Sequence, residues 1–104
     1  MKPSEYIEKG WVKFKLASKS TGAECPEYDS EAIAWCAFGA IKAAFPIKDN
    51  IKNPLLSNEA RNFYTAVLKK IKFLDIVSWN NDPSISKADV LRVFKEVEED
   101  LRII

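Results

Sequence analysis

Few residues in this chain can carry chemistry, because its 104 residues include no histidine. That removes the commonest general base near neutral pH and the usual activator of a nucleophilic serine or cysteine. The groups left for a reaction are Cys36 as nucleophile, Asp82 as carboxylate, Asn80 as amide, and a lysine from the central basic block. Cys36 would need a lowered thiolate pKa, yet it lies in an apolar segment, where burial works against one. Zinc has no supporting pattern, since Cys25 and Cys36 stand eleven apart without a Cys-x-x-Cys pair. No metal and no cofactor is expected. The thiols are read as free, as in other cytosolic chains.

Two strings stand out from ordinary helix or loop composition: Trp35-Cys36-Ala37-Phe38-Gly39-Ala40 and Trp79-Asn80-Asn81-Asp82-Pro83. On a helix, Trp35 and Gly39 share one face a turn apart. Glycine inside a helix costs about 0.5–1 kcal/mol against alanine, so it marks close approach by another group. Cys36 then reads as a small buried hydrophobe at a tight helix crossing. The second string reads as a turn that buries the Trp79 ring beneath it. Its polar groups either tie the turn's own backbone or form a recognition loop. Gly10-Trp11 completes the set. Three tryptophans at element junctions either fill the core, the preferred reading, or line one concave surface. On the second reading the binding residues are Trp11, Trp35, Trp79, Asn80, Asn81 and Asp82.

These residues need elements to position them. Pro3 to Lys9 reads as a short helix stopped by Gly10. Val12, Phe14 and Leu16 alternate with Lys13 and Lys15, a strand pattern. Ser18 to Gly22 is turn chemistry, and Ala23 to Cys25 returns before Pro26, giving a small hairpin or extended arm. Asp29 is placed to cap a helix over Ser30 to Phe45, with Tyr28 and Ile33 as its staple. Only Glu31 and Lys42 are charged there, so the helix should be central and surrounded. From Pro46 to Pro54 the chain is polar and irregular. Ser57 caps a third helix whose stripe runs from Ala60 to Leu74, ending around Ile76 to Trp79. Ser86 with Asp89 forms a capping box, and Ile85 with Val90 its staple. Val90, Leu91, Phe94, Val97 and Leu101 form the inner face of the last helix, with Glu96, Glu98, Glu99 and Asp100 mostly outward. The expected fold is mainly α, with α+β as the alternative: about four helices around an apolar central one, in a single domain over residues 1–104.

Composition agrees with a globular chain: 47% hydrophobic and 30% charged. No segment approaches the ~20 apolar residues of a membrane span. The N-terminus Met-Lys-Pro-Ser-Glu-Tyr lacks an apolar signal core, so a cytoplasmic location is expected. Charge is uneven: residues 42–72 carry seven bases against two acids, while 21–41 carry four acids and no base. The basic block can track phosphates or face the acidic blocks within the fold or across a homodimer.

The order Gly10-Trp11, Leu16-Ala17, Gly22, Pro26, Asp29, Ala32, Trp35-Cys36-Ala37-x-Gly39-Ala40, then Trp79-Asn80 and Pro83 resembles a family of short bacterial and phage proteins. That family is marked by GW, WCxxGA and WND and is known mainly as a domain of unknown function. The resemblance spans about Tyr6 to Val97, more loosely from Lys48 to Phe63. It departs at Asn81, where the pattern implies aspartate, and at Lys13-Phe14, where it implies Gln-Gly. A working aspartate at that position would be lost here unless Asp82 substitutes. The resemblance implies positions rather than a mechanism.

Three function classes follow. The leading one is a small non-catalytic module that binds a protein partner or a small ligand, as an accessory protein of a phage or mobile element. A small enzyme would need a pocket uniting Trp35, Cys36, Trp79 and Asn80. A nucleic-acid binder would need Lys42, Lys48, Lys52, Arg61, Lys69, Lys70 and Lys72 on one exposed face.

Overall fold

The computed structural model describes residues 1–47 and 56–103. Lys48, Lys52 and most of the irregular 46–54 run lie outside the described residues. Five helices and three short strands follow in chain order: α1 (Pro3–Lys9), β1 (Ala17–Lys19), β2 (Glu24–Cys25), β3 (Ala32–Trp35), α2 (Ala37–Ala44), α3 (Asn58–Lys70), α4 (Ile76–Asn81) and α5 (Lys87–Asp100). The fold is mixed α+β, with helix predominating.

Helix α1 has the expected bounds. Pro3 opens it, and the Lys2 backbone N–H donates to Glu5 Oε1 at 2.7 Å. The expected strand over Val12 to Leu16 does not form. Residues 13–16 bend, and Phe14 takes a φ of 66°. An L-residue pays roughly 1–2 kcal/mol for that left-handed backbone, whereas glycine takes it freely. This is the position at which the family resemblance implies glycine. The strand instead starts at Ala17, the middle one of an antiparallel sheet of order β2-β1-β3. Ala17 pairs Cys25 on one side and Trp35 on the other.

The expected helix over Ser30 to Phe45 is corrected to a strand followed by a helix. Ala-rich composition favours helix locally, but pairing with distant segments wins at Ala32–Trp35. Trp35 N–H donates to Gly10 O at 2.9 Å, its carbonyl accepts from Val12 N–H at 3.2 Å, and Cys36 N–H donates to Leu16 O at 3.1 Å. Helix therefore cannot begin before residue 37. Asp29 caps a turn, accepting from Glu31 N–H at 2.8 Å. The Tyr28–Ile33 staple is absent, both side chains being exposed. Cys36 becomes the N-cap of α2, its Sγ accepting from Gly39 N–H at 3.3 Å.

Gly39 is where two elements meet most closely. A Cβ there would collide with the Leu16 carbonyl oxygen, so the close approach is to the chain entering β1, not to another helix. Gly10 serves the same purpose against the Ile33 carbonyl, beside the bridge between Trp11 and Trp35.

The third expected helix is two helices. α3 is capped by Ser57 as expected, Oγ accepting from Ala60 N–H at 3.1 Å, and stops at Lys70. Asp75 caps α4, accepting from Ser78 N–H at 2.7 Å. Leu74, expected on the buried stripe, is 97% exposed. The string expected as a turn, Trp79-Asn80-Asn81, is the last half of α4, and Asp82 ends it. α5 keeps its Ser86–Asp89 capping box. Its inner face includes Val93 rather than Leu101, and Glu98 points inward. Ser4 N–H and Oγ–H donate to the Glu98 carboxylate at 2.8 and 2.7 Å, joining α1 to α5.

The core lies where α1, α2, α3 and α5 converge. Phe63 stands edge-on to Phe94, ring centroids 5.3 Å apart, and Trp79 lies 6.5 Å from Phe94. Ile7, Ile41, Val67 and Ile76 complete it. Each such side chain contributes about 1.5–3 kcal/mol on burial.

Candidate functional site

The residues singled out by sequence fall into three separate places. The first is a hydrogen-bonded knot around Asn80, which is 0% exposed. Its Oδ1 accepts from Trp11 Nε1–H at 2.7 Å and from Ala37 N–H at 2.8 Å. Its Nδ2 donates to Val12 O at 3.1 Å and to Asn81 Oδ1 at 3.1 Å. All four bonds an amide can make are made. One side chain thereby ties α4 to the N-terminus of α2 and to the chain after α1. Asn81 Oδ1 also accepts from Phe14 N–H at 2.8 Å. Both of its bonds need only an acceptor, which an aspartate supplies equally well. Lys13 Nζ donates to the Asp82 carbonyl at 2.6 Å. The Asp82 carboxylate accepts from Ser84, and these bonds hold it below the ordinary aspartate range.

The second place is the core, which contains Trp79. Trp35, 5% exposed, belongs to the core as well and also borders the third place, a cleft. The three tryptophans therefore do not line one concave surface. Nor do Trp35, Cys36, Trp79 and Asn80 meet in one pocket. Cys36 and Asn80 border a shallow groove, while Trp35 faces a different opening. Burial pushes the Cys36 thiol up, outweighing backbone N–H bonds that pull it down. Such a thiol is protonated at neutral pH and a poor nucleophile. Cys25 is also buried, and burial raises its thiol pKa too.

The cleft encloses about 650 Å³. Its walls come from α1, the turn before β3, β3 itself, the end of α2 and the approach to α3. Tyr6 stands edge-on to Trp35, ring centroids 4.9 Å apart. Trp35 is fixed by Nε1–H donating to Glu27 O at 3.0 Å, and Tyr6 by its hydroxyl reaching Ala43 O at 3.5 Å. Tyr28 and Phe45 add two more rings. Glu27 Oε1 lies 3.1 Å from Lys42 Nζ, with the Glu27 side chain only 9% exposed. Asp29 contributes a second carboxylate to the lining. The cleft thus holds four aromatic rings and two carboxylates against one ammonium.

Sequence reasoning found Trp35 but missed Tyr6, Glu27, Tyr28, Lys42 and Phe45. The separation of fifteen positions from Glu27 to Lys42 matches no helix or strand spacing, so only the β3–α2 corner brings them together. Within the basic block, Lys42 pairs Glu27, and Lys70 pairs Asp100 at 2.8 Å, which raises the Lys70 pKa. Among the described residues, no three His, Cys, Asp or Glu side chains gather as metal ligands, and no helix is long and apolar enough to cross a membrane.

No curated protein and no solved structure matches the chain. The model of a family of unknown function, DUF6197, matches residues 4–100, and the chain belongs to that family.

Proposed function

We propose that this domain is a non-catalytic module that binds a small organic cation in the cleft between Tyr6, Trp35 and Glu27. One observation carries the reading: a π-rich opening of about 650 Å³ with more carboxylate than ammonium in its lining. Aromatic faces attract cations, by about 0.5–2 kcal/mol each according to desolvation. A carboxylate that is only 9% exposed adds a charge that water screens poorly. Lys42 already uses this chemistry, its ammonium against Glu27 and 5.6 Å from the Phe38 ring centroid. A ligand bearing an amine or quaternary ammonium on an apolar body meets the Glu27 carboxylate and the cleft's own rings from solvent. The placing of such a module among phage or mobile-element accessory proteins is supported by the GW, WCxxGA and WND resemblance, and a cytoplasmic setting by the two free thiols.

The test is an isothermal calorimetric titration, using tetramethylammonium, tryptamine and indole-3-acetate. The two cations should bind and the anion should not. Lys42→Met frees Glu27 and should tighten cation binding, whereas a site built for anions would lose its ligand. Tyr28→Ala, at an 80% exposed position, should weaken binding while leaving stability within about 0.5 kcal/mol. Indole-3-acetate binding more tightly than tryptamine would reject the proposal.

A further inference from the structure

We propose that two copies of this chain associate through the groove beside Phe14, each copy's phenyl ring entering the groove of the other. Phe14 combines two unfavourable features: a left-handed backbone with φ 66° and a ring that is 76% exposed. The conformation is imposed by the knot, through Phe14 N–H on Asn81 Oδ1 and Lys13 Nζ on the Asp82 carbonyl. Backbone strain held by surrounding bonds is a mark of functional positions. Here it presents an aromatic ring to solvent.

The ring borders a groove of about 250 Å³ lined also by Leu16, Phe38 and Val77. An apolar cavity of about 150 Å³ accommodates benzene, so one phenyl ring fits. A two-fold contact needs a patch complementary to itself, and this patch carries both the knob and the hole. Its charges point the same way. Lys15 and Glu24 both line the groove, one of each sign. A two-fold axis that passes between the two sets Lys15 of one copy against Glu24 of the other, whereas a partner of single charge would leave one of them opposed. The surface is separate from the Tyr6–Trp35 cleft and does not rest on the ligand-binding reading.

Sedimentation velocity from micromolar to millimolar concentration tests it. The parent chain should show a concentration-dependent monomer–dimer equilibrium. Phe14→Gly should stay monomeric throughout. At concentrations where the parent is also monomeric, that variant should unfold at the same or a higher temperature, because glycine relieves the strained backbone. Lys15→Glu and Glu24→Lys should each weaken dimerisation about tenfold or more through like-charge contact, and the double exchange should restore it. A parent chain monomeric at millimolar concentration, or a dimer that Phe14→Gly leaves intact, overturns the proposal. Single charge exchanges without effect, or a double exchange that fails to rescue, overturn the Lys15–Glu24 pairing.

Discussion

The knot around Asn80 and the cleft beside Trp35 are built from the same kinds of residue, tryptophan with polar neighbours, yet they end in opposite states. In the knot, Asn80 makes every bond its amide can make, to Trp11, Ala37, Val12 and Asn81. No capacity is left for a ligand. In the cleft, Trp35 and Tyr6 are anchored by single polar bonds to backbone carbonyls, and both line an opening. The lesson is that a conspicuous string can report a saturated joint. Residues of ordinary appearance, Glu27 and Lys42 among them, line the cleft proposed to bind. Substitutions in the knot should therefore cost stability, and those in the cleft should cost binding.

The sharpest test is Asn80→Asp. A carboxylate would keep the two accepted bonds but lose both donated ones, turning its second oxygen toward both Val12 O and Asn81 Oδ1. Burying that uncompensated charge should cost about 3–5 kcal/mol, read as a fall in the denaturant midpoint. Asn80→Ala should cost less, about 1–3 kcal/mol, for partners left unpaired. A stable Asn80→Asp variant would show that the knot is open to water.

Gly39→Ala ranks next. The added methyl meets the Leu16 carbonyl oxygen, a backbone atom that cannot rotate aside. Overpacking of this kind costs about 1–3 kcal/mol. Because Cys36 N–H also bonds Leu16 O, the shift should loosen the N-terminus of α2. Faster hydrogen exchange confined to residues 36–40 would be the local signature. Unchanged stability would mean that β1 slides easily over α2.

How much of this was legible in the sequence depends on the range of the forces involved. α1, the start of α3 and all of α5 follow from Pro3, Ser57 and the Ser86–Asp89 box, signals that act within four residues. The strand Ala32–Trp35 was not legible, because its helix-favouring composition is overruled by Gly10, Val12 and Leu16, about twenty residues away. The break before α4 carried a local signal, Asp75 ahead of Ser78, that the continuous apolar stripe through Ile71 and Leu74 concealed. Asn80 was identifiable as unusual. Its partners, 43 and 68–69 residues distant, were not. The cleft left no trace beyond Trp35, since neither Glu27 nor Lys42 belongs to a motif.

Asn81→Asp tests the knot from its tolerant side. Both bonds at this position are accepted by Oδ1, from Phe14 N–H and Asn80 Nδ2–H. A carboxylate satisfies both and sits at a half-buried position. The change in stability should stay within about 0.5 kcal/mol, far below that of the same substitution one residue earlier. A large loss would show that the Asn81 amide nitrogen has a structural role of its own.

The smallest effect concerns pH, and it separates the knot from the carboxylates that flank it. Asp82 is held below its ordinary value by the Ser84 hydroxyl and N–H, with Lys13 adding a smaller pull. Asp89 is held down by Ser86 N–H and hydroxyl, with Arg92 assisting. In the unfolded chain both return to about 3.9. As pH falls, the unfolded state therefore takes up protons first, and stability declines. The contribution of each group is complete above that ordinary value and is lost as pH drops through the lowered folded value. Between pH 7 and 5 these two groups change nothing. The knot itself, made of amides, an indole and backbone, has no proton to gain in this range. Denaturant midpoints measured from pH 7 to 2 should thus fall less steeply below pH 4 in Asp82→Asn than in the parent, with both curves flat from these groups above pH 5. An Asp82→Asn curve parallel to the parent's through the acid range would mean that the turn after α4 holds without its carboxylate. The bonds to Ser84 would then contribute nothing to the placement of Asn80.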